Sequence, residues 1–327
     1  MRFGISTRRS LPEGRAEGRA DTGWWRMTEL TFVFGIGAAK AGTSWLHDYL
    51  AGHPDVHFRD LKELHYFSSI NGRGGDWPHR LRQKQLTDMR RRLARWPDSI
   101  GNRQRMLRLC EDIQVWHRIF DGKTANDTGY VDFLTARAQG ARVVGEITPA
   151  YATLDTQGFK TMAEIAPRTR FIMLLRAPMD RLWSNVRMTA KRAAAEQGTD
   201  ADRVAHAQIE AFIRDEEPGL QQRSDYVGTI RRLLSAVPRK NVLFEFFETL
   251  FTPGALGRIT DFLGLAPREG DLSRNHHQGE KMQMPEGLRE RVLLALAPQY
   301  EFIRTMFGDR LPPRWQDHYG QLELAGH

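Results

Sequence analysis

Eleven residues, Gly35 to Trp45 (GIGAAKAGTSW), constrain this chain more than any other stretch. They follow a continuous apolar run, Thr31 to Ile36 (TFVFGI), rich in β-branched and aromatic side chains, which predicts a strand buried on both faces of a parallel sheet. They lead into a helical pattern starting near Thr43. Glycines between a buried strand and a helix allow positive φ and close backbone approach. Successive N–H groups and the positive end of the helix can then point at one anion. The segment reads as a phosphate cradle. A Walker A loop would need Lys after its second glycine, but Gly37 and Gly42 are followed by Thr43, and the lysine comes early, at Lys40. A dinucleotide fingerprint fails as well, because Lys40 stands at its third glycine.

Similar apolar runs recur at Asp55 to Phe58, Arg142 to Val144, Arg170 to Leu175 and Val242 to Phe247. Helical patterns separate them, near 43–51, within 80–119, and near 157–166, 179–195, 202–215 and 225–236. Strands alternating with helices predict an α/β fold, a P-loop-like parallel β-sheet flanked by helices. Patterns at 254–263 and 286–307 predict closing helices, and Pro312-Pro313 marks the exit of a domain spanning 29–315. Residues 316–327 are expected to be a C-terminal tail. Residues 1–28 mix Gly, Arg and Glu with little to bury and are expected to be disordered, with Met27 as an alternative start.

A second anion site is legible at Arg170 to Arg187 (RFIMLLRAPMDRLWSNVR). The strand ends in Arg176, Pro178 opens a helix, and Ser184 follows two turns later. A guanidinium and a hydroxyl at this offset can face one anion above the carboxyl edge of the sheet.

Charge adds less. The 48 Lys+Arg exceed the 40 Asp+Glu by 8, and only 8 of the cations are Lys, so each lysine merits inspection. The densest positive stretch, Arg80 to Arg118, reads as the solvated face of helices whose apolar side holds Leu86, Met89, Leu93 and Trp96. Cys110 is the single cysteine, which excludes an intramolecular disulfide. The sequence contains no apolar run of membrane-spanning length and no secretory pattern, so a cytoplasmic protein is expected.

Lys40-Ala41-Gly42-Thr43-Ser44-Trp45 resembles the K-x-G-T-[ST]-W loop of sulfotransferases that use 3′-phosphoadenosine 5′-phosphosulfate (PAPS), and Leu175 to Ser184 is similar to their L-R-x-P-x-[DE]-R-x-x-S signature. The resemblance covers about residues 30–315 and implies the sulfotransferase fold, with PAPS as co-substrate, no metal, and a hydroxyl-bearing small-molecule, carbohydrate or lipid acceptor. By resemblance, Lys40 contacts the 5′-phosphosulfate, and Thr43, Ser44 and the loop amides, including Ala41 and Gly42, hold the 5′-phosphate. Trp45 either lies near the adenine or packs its helix onto the sheet. Arg176 and Ser184 bind the 3′-phosphate, while Asp180 and Arg181 stabilise the fold.

The carbohydrate-type members carry K-E-x-x-[FY]-F or E-x-H-F-F where this chain has Lys62, Glu63, His65, Tyr66 and Phe67. Glu63 is thereby implied as the base that takes the acceptor's proton, with His65 orienting the substrate or sharing that proton. The family's G-E-K-[TS]-P-x-Y appears as Gly145-Glu146-Ile147-Thr148-Pro149-Ala150-Tyr151. Ile147 cannot take over a charge role there, so stabilisation of the transition state shifts to Lys40 or to Lys62, and Glu146 is a possible second carboxylate of the cleft. Gln278 and Lys281 fall where the family closes a loop over the nucleotide. Two readings compete: a nucleoside kinase or NTPase on a related sheet, and a basic nucleic-acid binder using the Arg-rich stretch. The displaced Lys40 opposes the first, and the lack of a nucleic-acid motif opposes the second.

Overall fold

The computed structural model describes residues 29–72, 77–95, 100–122, 124–271, 282–284 and 286–325. The expected N-terminal tail and the start at Met27 lie outside them. Among the described residues, five strands form one sheet: β1 (Thr31–Gly37), β2 (Val56–Phe58), β3 (Val143–Ile147), β4 (Thr169–Leu175) and β5 (Val242–Phe246). Their order is β2-β3-β1-β4-β5, with every pairing parallel. β1 is central because its side chains can be buried from both sides: Phe32, Val33, Phe34 and Ile36 are fully enclosed. Burying such side chains contributes about 1.5–3 kcal/mol each.

The order reverses at β1. The chain leaves it first toward β2 and β3, then crosses to β4 and β5 on the other side. A topological switch point opens a crevice at the carboxyl edge of the central strands, where open α/β sheets bind ligands.

The helices are α1 (Thr43–Ala51), α2 (Tyr66–Ile70), α3 (Trp77–Arg95), α4 (Ile100–Ile119), α5 (Asp127–Thr135), α6 (Thr156–Glu164), α7 (Pro178–Gln197) and α8 (Ala201–Ile213). They continue with α9 (Pro218–Ser224), α10 (Tyr226–Ala236), α11 (Pro253–Leu263), α12 (Glu286–Ala295), α13 (Ala297–Phe307) and α14 (Pro313–Leu324). Several starts are fixed by side-chain caps. Asn126, Asp155, Asp200 and Asp225 each accept the N–H three residues on, and Thr252 does the same for α11. The Arg-rich stretch forms α3 and α4. Leu86 and Met89 pack against the core, whereas Arg90, Arg91 and Arg92 are exposed, which is the solvated-face arrangement.

The expected C-terminal tail is corrected by the structure. Pro312-Pro313 does not mark an exit; Pro313 takes the first position of α14, where its missing N–H costs nothing. Trp315, His318 and Leu322 of this helix are buried. The Tyr300 hydroxyl accepts a hydrogen bond from the Met179 N–H at 3.2 Å and shares a second one with His318 Nδ1 at 2.6 Å.

Burial pushes the His318 pKa down to about 4. A histidine whose folded pKa lies below its unfolded value of 6.5 contributes stability that is full above pH 6.5 and is lost as pH falls toward 4. The expected loss is about 3 kcal/mol across that window. Urea unfolding at pH 7 and pH 4.5 should show it for the wild type and largely not for His318→Phe. Equal pH sensitivity of the two proteins would contradict the assignment.

Candidate active site

Three loops meet the carboxyl edge of the sheet, after β1, β2 and β4. The β1 loop carries Lys40 and Gly42 in left-handed backbone conformation, with φ of 71° and 89°. Gly42 is required twice over: its φ disfavours a side chain, and a Cβ there would lie 3.0 Å from the Phe247 ring and 3.1 Å from Leu250. No side chain caps α1 at Gly42, so the first-turn N–H groups are left for another acceptor. Thr43 is buried and Ser44 exposed at this helix start, with Ala41 buried beneath them.

Lys40 is half-buried, its ammonium 3.7 Å from the Met188 sulfur. Burial and the neighbouring Arg176 and Arg187 cations push its pKa down, as they would for a cation waiting for a polyanion. Arg176 joins the loops after β1 and β4 directly, because its guanidinium donates to the Lys40 carbonyl at 3.0 Å. The guanidinium also covers the Phe247 ring at 4.6 Å. Burial lowers its pKa, while Asp180 and Glu248 oppose that effect. Ser184 is partly buried on α7, two turns beyond Arg176.

Arg187 is the functional candidate that sequence reading missed here. It lies three residues beyond Ser184, next to Met188, and its charge acts on both Lys40 and Arg176. The i, i+3 spacing from Ser184 on one helix was the available signal.

The β4 loop is braced from behind. The Tyr226 hydroxyl accepts from the Arg176 N–H at 3.2 Å and is 2.9 Å from the Arg176 carbonyl. The Ala177 N–H donates to Glu248 at 2.8 Å, and Trp315 of α14 donates to the same carboxylate at 3.0 Å. Asp180 is held by Arg314 through two bonds of 2.7 and 2.8 Å. Arg181 is fully buried and donates to Ser224 at 2.5 Å. Asp180 and Arg181 therefore hold the fold, in line with the sequence reading.

Trp45 settles into packing. It is 4% exposed, stacked on Tyr49 with ring centroids 5.3 Å apart, and its N–H donates to the Asp271 carbonyl at 3.3 Å. These contacts pack α1 against the segment at Asp271. Lys281 and Gln278 lie outside the described residues.

After β2, Glu63 and His65 come together. Glu63 is about half exposed, His65 is buried, and His65 Nε2 lies 3.7 Å from a Glu63 carboxylate oxygen with no hydrogen-bond partner. A buried imidazole nitrogen without a partner beside an exposed carboxylate is a polar group that a further hydrogen-bonding atom would satisfy. With β3 between β1 and β2, the two loops start roughly 10 Å apart at the usual strand spacing.

One expectation about this side of the cleft is corrected. Glu146 is not a free carboxylate of the cleft. It is 4% exposed and accepts from the Leu64 N–H at 2.9 Å, Thr148 at 2.5 Å, Tyr130 at 2.6 Å and Tyr151 at 2.7 Å. Burial and the Glu146 charge push both phenols well above their ordinary pKa, so both remain donors. Lys62 pairs its ammonium with Asp48 at 2.5 Å. Ile147, at the position of the family lysine, is 3% exposed and lies against Gly35, where a Cβ would come within 2.7 Å of it. An apolar residue there packs β3 onto β1.

The structure also resembles known folds. It superposes on a sulfotransferase from Alicyclobacillus acidocaldarius with a TM-score of 0.56 and 22% identity, covering 87% of this chain and 98% of that one. A looser likeness, TM-score 0.43 and 17% identity over 83% and 94% of the two chains, is to the sulfotransferase domain of the Synechococcus PCC 7002 olefin synthase. No curated protein matches the chain significantly in sequence. The sulfotransferase family itself matches residues 33–266, taking in all five strands and the loops after β1, β2 and β4, and the chain belongs to that family.

Proposed function

We propose that the protein transfers a sulfuryl group from PAPS to a hydroxyl of a small-molecule, carbohydrate or lipid acceptor. One observation carries the reading of the donor: Arg176 reaches across the switch point to the Lys40 carbonyl at 3.0 Å, tying two cationic strand-to-helix loops into one anion site. A nucleotide with phosphates at both ends of its ribose fits two such loops, whereas a nucleoside triphosphate needs only one. The uncapped start of α1, the left-handed turn at Lys40 and Gly42, and the cations Lys40, Arg176 and Arg187 suit that ligand. The residues present therefore fit PAPS, which when bound supplies the sulfuryl group.

In this reading the β1 loop, with Thr43 and Ser44, holds the 5′-phosphate. Arg176 and Ser184 hold the 3′-phosphate. Lys40 faces the oxygen on which negative charge grows as the S–O bond breaks. Glu63 takes the acceptor's proton, and His65 fixes the acceptor hydroxyl through its free Nε2. Positioning and preorganised charge supply most of the acceleration.

Thermal shift distinguishes this reading from the two others. Adenosine 3′,5′-bisphosphate at 100 times its Kd should stabilise the protein by about 2.7 kcal/mol. Mg-ATP and a DNA oligonucleotide should give little, and Arg176→Ala should lose most of the bisphosphate effect. Stabilisation by Mg-ATP without the bisphosphate would overturn the proposal. A panel of phenols, sugars and fatty alcohols with labelled PAPS then sorts the acceptor class.

A further inference from the structure

The loop that carries Glu63 is shaped by a residue on another element. Glu63 and His65 both hold left-handed backbone angles, with φ of 53° and 60°, which residues other than glycine seldom adopt. Such a turn persists where surrounding contacts over-determine it. Here the contacts come from two sides. The Leu64 N–H is anchored on Glu146, and the guanidinium of Arg82, on α3, donates to the Lys62 carbonyl at 2.7 Å and also to the Glu63 carbonyl.

Arg82 is 2% exposed, whereas Arg80, Arg90, Arg91 and Arg92 of the same helix are exposed. A further bond to Gln85 at 2.8 Å fixes its fork from within α3. Trp77, at the start of the same helix, sets its ring edge-on to His65 at 5.3 Å, so α3 meets the loop at two points. The charges facing Arg82 are Glu63 and Glu146, and burial is the main influence lowering its pKa.

We propose that Arg82 is a positioning residue for sulfuryl transfer: by bridging two successive carbonyls it fixes the peptide plane from which the Glu63 side chain leaves, and so aims the carboxylate at the acceptor hydroxyl. The inference rests on Glu63 being the base. One terminal nitrogen, Nη2, serves both carbonyls while Nη1 is held by Gln85, and a lysine has no second nitrogen with which to keep that anchor. A displacement of about 1 Å in a reacting group can cost on the order of 10²-fold in rate.

The test is a double-mutant cycle. Arg82→Met, Arg82→Lys, Glu63→Gln and the Arg82→Met/Glu63→Gln pair are assayed for transfer from labelled PAPS to the best acceptor of the panel, or to water if none reacts. Arg82→Met should lower kcat by about 10–100-fold, with the thermal shift by adenosine 3′,5′-bisphosphate retained. Arg82→Lys should fold like the wild type yet remain slow. The double variant should be no slower than Glu63→Gln alone. Equal fold-losses in both backgrounds, or an Arg82→Met rate within twofold of wild type, would overturn the positioning role. If Arg82→Met does not fold, the same comparison is made with Arg82→Lys. A fully active Glu63→Gln enzyme would defeat the base assignment and this inference with it. A slow Glu63→Gln beside an unimpaired Arg82→Met would defeat the inference alone.

Discussion

Lys40→Ala should reduce kcat by about 10²–10³-fold, the usual cost of removing one preorganised charge from the site where an oxyanion develops. The expectation rests on where the ammonium sits. It is half-buried, its pKa is already lowered by burial and by Arg176 and Arg187, and the left-handed turn at its own Cα presents it at the open edge of β1. A cation held there is costly until an anion arrives, so its contribution should grow as charge builds on the leaving phosphate. Binding of adenosine 3′,5′-bisphosphate should fall much less than turnover, because Arg176 and the α1 amides remain. Steady-state transfer from labelled PAPS, paired with thermal shift, separates the two. A variant with turnover within threefold of wild type would show that the lysine is a spectator.

Glu63→Gln should be slower still, by about 10²–10⁴-fold if the carboxylate is the general base. Glutamine matches the side chain in size and leaves the contacts of Arg82 to the main chain intact, so nucleotide binding should be unchanged. The loss should therefore appear in kcat and not in the thermal shift. His65→Gln gives the useful contrast. His65 is buried with its Nε2 unpartnered, so a role in orienting the acceptor would appear mainly in the acceptor's KM. If His65→Gln abolishes turnover while Glu63→Gln spares it, the two roles are exchanged.

The parts of this molecule that could be read from sequence are those whose physics is local. A buried strand followed by a tight turn and a helix start is encoded within fifteen residues, and both anion loops are of this kind, the first turning on glycines and the second on Pro178. The loop after β2 was legible as a motif, but its shape was not. The left-handed angles at Glu63 and His65 depend on Arg82 and Glu146, which reach the loop from 19 and 82 positions away. Arg82 carried one overlooked signal: with Leu86, Met89 and Leu93 it keeps the helical spacing of the apolar stripe, so it belongs to the face that packs. For Glu146 the motif supplied two near partners, Thr148 and Tyr151, but Leu64 and Tyr130 are joined to it only by the fold. Pro312-Pro313 misled because a proline pair ends the helix before it and can equally open the next one.

The last helix also bears on how the protein is made. All five strands precede residue 247, so the sheet can assemble while synthesis is still in progress. The loop after β4 cannot reach its final form then: Asp180 waits for Arg314 and Glu248 for Trp315, both within α14. Domains generally fold as units as the chain emerges, so donor binding should be among the last properties a nascent chain acquires. A chain stopped at residue 312 would keep every strand and the loops after β1 and β4, and it should still bind the bisphosphate poorly.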